Sequence, residues 1–170
     1  MNVPALEADC SQCAALCCVL LPFDKSKAFA FDKAGGEPCR HLNDCFGCRI
    51  HEKLSDCGFK GCIAFDCHGA GQRVVQQVFN GGTWREDPEL MSRMGRAFHI
   101  MRRIHELLLL LREADRLPLS QAQRKEHAAL LKMLAPEAEW TEDSLEAFVV
   151  SAAETGVRRF LSGLRDNIGA

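Results

Sequence analysis

The spacing of hydrophobic positions divides the chain near residue 80. From Leu90 to Arg116 apolar side chains recur every three or four positions, which predicts one long helix. Asp87 and Pro88 precede it as an N-cap and a first-turn proline. Residues 107–111 are five consecutive leucines, so we expect this stretch to be buried on several sides or packed on a partner.

Three further helices follow from the same periodicity. A short one is predicted at 72–79, before a break at 80–83 that is rich in glycine. Another is predicted from Ser120, as N-cap, to Leu134, and a third from Thr141 through Leu164. Gly156 lies inside the third helix and is not expected to end it.

The first half has only short patterns. Residues 28–31 alternate alanine and phenylalanine as a brief strand would, and residues 34–38 have loop composition. A segment with so few aliphatic runs needs an additional staple, and a metal ion is one. The predicted fold is therefore mainly α, with a small irregular cysteine-rich metal-binding module at 1–79 and a bundle of about three helices at 84–170.

Composition excludes some classes of function. The chain has 170 residues, of which 47% are hydrophobic and 26% charged, as in an ordinary globular protein. A net charge of −2 gives no reason to expect nucleic acid or an anionic membrane as the main partner, and we interpret the arginines of the long helix as a solvated face with intrahelical ion pairs. No apolar run is long enough to span a bilayer, and the acidic N-terminus does not look like a signal peptide. These features predict a cytoplasmic protein.

Cysteine is the unusual component. The chain has ten cysteines, all between Cys10 and Cys67. In a reducing compartment clustered thiols serve metal ligation or redox chemistry more often than disulfides. Thiolates select zinc, copper(I) or iron–sulfur centres, and an x2 spacing lets two of them reach one ion. Two tetrahedral sites would use eight of the ten.

The order and spacing of these cysteines resemble the zinc- or iron-chelating cysteine-cluster family of YkgJ type, whose signature begins CxxCxxCC. The resemblance covers residues 10–68, and here three residues rather than two precede the cysteine pair. Cys45 and Cys57 are additional to the family pattern, and the Arg-Pro that usually precedes the closing pair is absent. The resemblance implies eight metal ligands: Cys10, Cys13, Cys17, Cys18, Cys39, Cys48, Cys62 and Cys67.

Other residues remain open as contributors. His41, His51 and His68 lie among the cysteines, and any of them could replace a thiolate. Gly69 to Gly71 are interpreted as a turn that leaves Cys67, because the remaining elements of a dinucleotide loop are absent. Three more histidines are expected at a surface or interface: His99, His105 and His127.

Three functions follow as hypotheses. The first is a metal-binding protein that holds zinc or iron, with the helical half serving a protein partner or a homodimer. The second is redox sensing or electron transfer through an iron–sulfur cluster. The third is a metal-dependent enzyme, for which the acids close to the cysteines in sequence are Glu52, Asp56 and Asp66. The sequence leaves open whether the protein is an enzyme.

Overall fold

The computed structural model describes residues 3–165 and confirms a mainly α-helical fold. Within these residues no strand forms, and the only β-pairing consists of two isolated bridges, Phe23–Lys33 and Leu42–Cys48. The helices are α1 (Leu16–Leu20), α2 (Lys60–Ala64), α3 (Ala70–Arg73), α4 (Leu90–Ala114), α5 (Gln121–Leu134), α6 (Glu142–Glu146) and α7 (Val150–Ser162).

Helix α4 is the centre of the molecule. It contacts α1 and α3 from the cysteine-rich half and α5, α6 and α7 from the helical half. One hydrophobic core joins Leu16 and Val74 of the first half to Met101 and Leu145 of the second. The cysteine-rich segment is therefore anchored on a rigid helix, while the division at residues 79–84 into two domains stays a prediction.

The leucine run lies in this core. Leu107, Leu108 and Leu111 are at most 1% exposed, whereas Leu110 is 45% exposed. Other parts of the same chain thus cover most of the five leucines. Of the two expectations from sequence, burial on several sides is the one that the structure confirms. No helix within residues 3–165 has the length and apolarity to cross a membrane.

The helix starts were predicted with mixed success. Ser120 caps α5 with a capping box, as expected, since its hydroxyl accepts from the amide of Gln123 and the Gln123 side chain accepts from the Ser120 amide. The predicted start of the long helix at Asp87 is wrong, because α4 begins at Leu90. The Asp87 carboxylate instead accepts from the amide of Glu89 at 2.9 Å, which makes a separate turn ahead of the helix.

The last predicted helix is divided. Thr141 caps α6 as expected, but the chain leaves helical geometry after Glu146 and re-enters it at Val150. At the break the ring of Phe148 packs edge-on against Trp140, with centroids 5.2 Å apart. Packing of this ring interrupts the periodic pattern, whereas Gly156 lies inside α7, as predicted.

The strand predicted at 28–31 is wrong. Phe29 and Phe31 do share one side, as alternation implies, and both rings lie against Phe23 at centroid distances of 4.3 and 5.5 Å. However, the backbone has no partner strand: the carbonyl of Ala28 accepts from the amide of Gly61, at the start of α2. Ring packing rather than a ladder of hydrogen bonds therefore fixes this segment.

Two of the three histidines in the helical half were wrongly predicted at a surface or interface. His105 is 0% exposed and His127 is 6% exposed, whereas His99 is exposed as expected. The Nε2 of His127 lies 2.9 Å from the carbonyl of Leu111. A histidine whose nitrogens find partners is buried at moderate cost, and the pattern of apolar residues does not reveal those partners.

The arginines of α4 form a solvated charged face, as predicted, but several of their ion pairs bridge helices. Arg93 pairs with Glu142, Arg96 with Glu146 and Arg103 with Glu154. Arg102 and Glu106 form the expected pair within the helix.

Candidate metal centre

The short helix α1 places two thiols side by side. Leu16 and Val19, three positions apart, are fully buried in the core and fix the orientation of α1. Cys17 and Cys18 lie half-buried at the edge of that face, with their sulfurs 3.9 Å apart. Because successive residues of a helix diverge by about 100°, the two side chains leave α1 in different directions.

Cys17 lies with Cys10, Cys13 and Cys67, a set that we call the first thiol group. Cys67 and Cys10 raise the pKa of the Cys13 thiol, and Cys13 and Cys67 raise that of Cys17. Cys67 likewise raises the pKa of the Cys10 thiol. These effects indicate that the thiols of this group lie near one another.

Gly71 permits the closest approach within the first thiol group. A Cβ at this position would lie 2.8 Å from the sulfur of Cys13 and 3.8 Å from that of Cys67. Gly69, with φ +83°, ends the turn that follows Cys67 and begins α3. The turn interpreted from sequence at 69–71 is therefore limited to His68 and Gly69, because Ala70 and Gly71 belong to α3, and Gly71 makes room for sulfur.

Cys18 lies with Cys39, Cys48 and Cys62, the second thiol group. The amide of Cys39 donates to the carbonyl of Cys18 at 3.0 Å, and the Leu42–Cys48 bridge folds Cys48 back towards Cys39. Cys18 and Cys39 raise the pKa of Cys48, and all three raise that of Cys62. We therefore group the eight cysteines of the family pattern into two sets of four that adjoin at Cys17 and Cys18, and Cys18 also raises the pKa of Cys10 across the two sets.

An aromatic cluster packs against the helix that carries Cys62 of the second thiol group. Its rings are Phe23, Phe29, Phe31, Phe59 and His41. Gly61 passes directly over Phe29: a Cβ there would lie 2.1 Å from the ring. This contact holds α2, which carries Cys62, against the segment that carries Phe29.

Sequence reasoning missed Lys33, which lies beside the second thiol group. It is 6% exposed, and its ammonium donates at 2.9 Å to each of three carbonyls, those of Val19, Ala34 and Glu37. These bonds satisfy all three ammonium protons. Burial lowers the pKa of Lys33, while the nearby thiols of Cys39 and Cys18 favour its charged form. No sequence motif marks this lysine, because its partners are backbone carbonyls.

The neighbouring thiols of Cys17 and Cys18 share a hydrogen bond. The hydrogen bond from the Cys17 thiol lowers the pKa of Cys18 to about 7, and the charge of Lys33 lowers it further against the effect of burial. The same hydrogen bond and burial raise the pKa of Cys17. At neutral pH Cys18 thus has substantial thiolate character and Cys17 remains a thiol.

Four other thiols, those of Cys10, Cys13, Cys48 and Cys62, resist ionisation in the absence of a cation. Burial, first, and neighbouring thiols, second, raise the pKa of Cys62 to about 11. Burial raises the pKa of Cys13 to about 11 as well. The pKa values of Cys10 and Cys48 are raised for the same reasons.

The other candidates have separate roles. His41 belongs to the aromatic cluster, and burial lowers its pKa. His51 is exposed, and His68 lies with its Nδ1 3.5 Å from the carboxylate of Asp66. Cys45 is exposed, whereas Cys57 is half-buried and contributes to raising the pKa of Cys48. Glu52 and Asp56 are exposed.

All ten cysteines are free thiols. In the part of the chain that the structure describes, no three Cys, His, Asp or Glu side chains converge closely enough to hold a metal ion. Metal binding therefore requires the sulfurs to move towards one another. The donor set fits a soft ion such as zinc or iron, and Gly71, which has no side chain, lets the sulfurs of Cys13 and Cys67 both lie close to its backbone.

Comparison with known proteins identifies one informative relative. Over 109 residues the chain is 50% identical to YybG, an uncharacterized protein of Bacillus subtilis strain 168. The match covers 64% of this chain and 39% of the relative, so the chain spans about two fifths of the relative's length. No family model matches the chain, and no solved structure matches it. The cysteine-cluster resemblance therefore stays a prediction, and the chain is similar to YybG over nearly two thirds of its length.

Proposed function

We propose that this protein binds zinc or iron through its two thiol groups, Cys10, Cys13, Cys17 and Cys67 in the first and Cys18, Cys39, Cys48 and Cys62 in the second. The observation that carries the proposal is the close approach of these cysteines: the sulfurs of Cys17 and Cys18 lie 3.9 Å apart, and Gly71 lies against the sulfurs of both Cys13 and Cys67. Four thiolates are the ligand set of structural zinc and of iron–sulfur clusters.

Electrostatics supports this assignment. Neighbouring thiols raise one another's pKa, so a cation that replaces their protons removes the mutual repulsion. Lys33 already supplies one positive charge to the second group, and three carbonyl partners hold it in place. The second group therefore carries less uncompensated charge than the first when both are loaded.

Metal binding would affect the packing of the cysteine-rich half on helix α4. The first group is anchored to it through α1 and α3, so metal binding couples to the packing of the cysteine-rich half. We assign the helical half to association with a protein partner or a second copy. A reducing cytoplasm is the compartment that would keep the thiols available.

Elemental analysis after purification without oxygen tests the proposal. We expect one or two metal ions per chain, or iron with acid-labile sulfide and visible absorbance. Cys13→Ser should reduce the metal content of the first group, and Cys48→Ser that of the second. Cys45→Ser is the matched control, since Cys45 is exposed and lies outside both groups. A wild-type protein without bound metal would contradict the proposal.

Redox sensing is the second candidate, and the Cys17–Cys18 pair favours it. Their sulfurs are 3.9 Å apart, and the pKa of Cys18 near 7 gives it thiolate character at neutral pH. If the bound group is an iron–sulfur cluster, its visible absorbance should bleach on reduction. Persistent absorbance over the whole accessible range of potentials would contradict this candidate.

A further inference from the structure

A surface cavity with several polar side chains in its lining lies beside the chain segments that carry Cys13 and Cys67. Its volume is about 330 Å³, in the lower range of small-molecule pockets. It lies between the N-terminal segment, α3 and α4, and His105 forms part of its wall. Four glutamines, Gln12, Gln72, Gln76 and Gln77, line it together with Arg73.

The guanidinium of Arg73 is the only charged group in the described lining of this cavity. Its Nε donates to the Gln77 side chain at 2.8 Å, and its Nη1 lies 3.3 Å from Nε2 of His105. A guanidinium has five N–H donors, so three of them remain. Within residues 3–165, Nη2 makes no hydrogen bond, and no carboxylate lies within 4.0 Å of Arg73.

The glutamines add donors to the same space. Gln12 donates one amide hydrogen to Asp9, Gln72 donates one to the carbonyl of Glu7, and Gln76 donates one to the carbonyl of Gln12. A primary amide has two hydrogens, so each of these side chains keeps one donor. The carboxylate of Asp9 is itself occupied by Ser11 and Gln12.

A second cavity of about 290 Å³ touches the other side of Arg73 but differs in charge. Glu137 and Glu139 line it opposite Arg73 and Lys132, so its charges balance. An anion would meet two carboxylates there and none in the lining of the first cavity. Arg73 can therefore pair with an anion in the first cavity without a carboxylate in the described lining to oppose it.

We propose that this cavity binds a small oxyanion, a carboxylate or phosphate group, through the unpaired face of Arg73 and the glutamine amides around it. The planar guanidinium matches the two oxygens of such a group. The bonds to Gln77 and His105 fix the orientation of the guanidinium before a ligand arrives. None of the proposed anion-binding side chains is one of the eight proposed metal ligands, although the wall includes Gly69, two residues after Cys67.

Modification of the wild-type protein with phenylglyoxal, followed by mass spectrometry, provides the first test. Arg73 should react, and sodium acetate or sodium phosphate should protect it saturably when ionic strength is held constant with sodium chloride. Arg124, an exposed residue of α5, should react equally with and without these anions. Equal protection of both arginines, or no protection of Arg73, would overturn the proposal.

Calorimetric titration with the same two salts gives an independent measurement. Arg73→Gln should weaken the binding of the preferred anion by at least about tenfold, because a charge-assisted pair is lost. Arg73→Lys keeps the positive charge but lacks the planar guanidinium, so its affinity for the anion should lie between those of wild type and Arg73→Gln. Arg124→Gln is the control and should bind as wild type does. Identical affinities in wild type and Arg73→Gln would assign the anion to another place on the molecule.

Discussion

The Nδ1 of His105 lies 2.6 Å from the carbonyl oxygen of His68, so the longest helix holds the turn that follows Cys67. The other ring nitrogen faces Nη1 of Arg73 at 3.3 Å. A guanidinium only donates and a carbonyl only accepts, so both bonds are satisfied by a neutral imidazole with its proton on Nδ1. Burial, and then the charge of Arg73, lower the pKa of His105 to about 4.

This lowered pKa predicts a loss of stability in mild acid. In the unfolded chain a histidine takes up its proton near pH 6.5, whereas in the folded protein it does so near pH 4. The contribution of His105 to the free energy of unfolding is therefore fully present above about pH 6.5. It falls as the pH drops towards 4, by about 2 kcal/mol between pH 7 and pH 5. His105→Asn keeps a donor for His68 and does not titrate, so its free energy of unfolding should depend less on pH.

Urea unfolding at pH 7 and pH 5 measures this difference. His99→Asn is the control, because His99 is exposed on the same helix. Metal release in acid affects all three proteins, so the comparison between variants isolates His105. Equal pH dependence in His105→Asn and wild type would show that His105 does not carry the effect.

Gly71→Ala should reduce the metal content of the first thiol group. The new Cβ would lie 2.8 Å from the sulfur of Cys13, so that sulfur must move away from Cys67. We expect the second thiol group to keep its metal, measured as metal per chain by elemental analysis. Gly156→Ala is the matched control, since its Cβ would meet only a methyl group of Leu130 at 3.3 Å in α7. Full metal content in Gly71→Ala would contradict the role given to this glycine.

Lys33→Met should destabilise the second thiol group and make Cys18 a weaker acid. The change leaves three carbonyls without their donor, which costs about 2 to 3 kcal/mol of stability. It also removes the cation that helps to lower the pKa of Cys18. In metal-free protein the rate of Cys18 alkylation by iodoacetamide should therefore rise at a higher pH than in wild type.

Lys27→Met is the control for this experiment, because Lys27 is exposed. Peptide mapping identifies Cys18 among the ten cysteines. An unchanged pH profile for Cys18 in Lys33→Met would mean that the lysine is only a structural brace for the three carbonyls.

Ser120→Ala should lower the free energy of unfolding by about 1 kcal/mol, because it removes the N-cap of α5. The capping box lies far along the chain from the cysteines, so metal content should not change. Thermal or urea unfolding measures the effect, and Ser151→Ala within α7 is the comparison. A loss as large in Ser151→Ala would show that the cap itself is not the cause.

The sequence by itself determined the helical class of the fold. Leu90 to Ala114 repeats its apolar residues at helical spacing, and Ser120 and Thr141 carry capping side chains next to the backbone amides they bind. Such interactions are local, so a few neighbouring residues suffice to predict them. The spacing and family resemblance of the cysteines also predicted eight candidate metal ligands, but not how these residues would be arranged in space.

Only the tertiary structure shows what surrounds these cysteines. Cys17 and Cys18 are adjacent in sequence, and the docking of α1 on α4 through Leu16 and Val19 fixes the directions in which both side chains leave the helix. Lys33 and Arg73 likewise have no sequence signal, since their partners are carbonyls, an imidazole and a glutamine brought near by folding. Charges and polar groups are satisfied by whatever the packed chain places beside them, and only the complete fold fixes those neighbours.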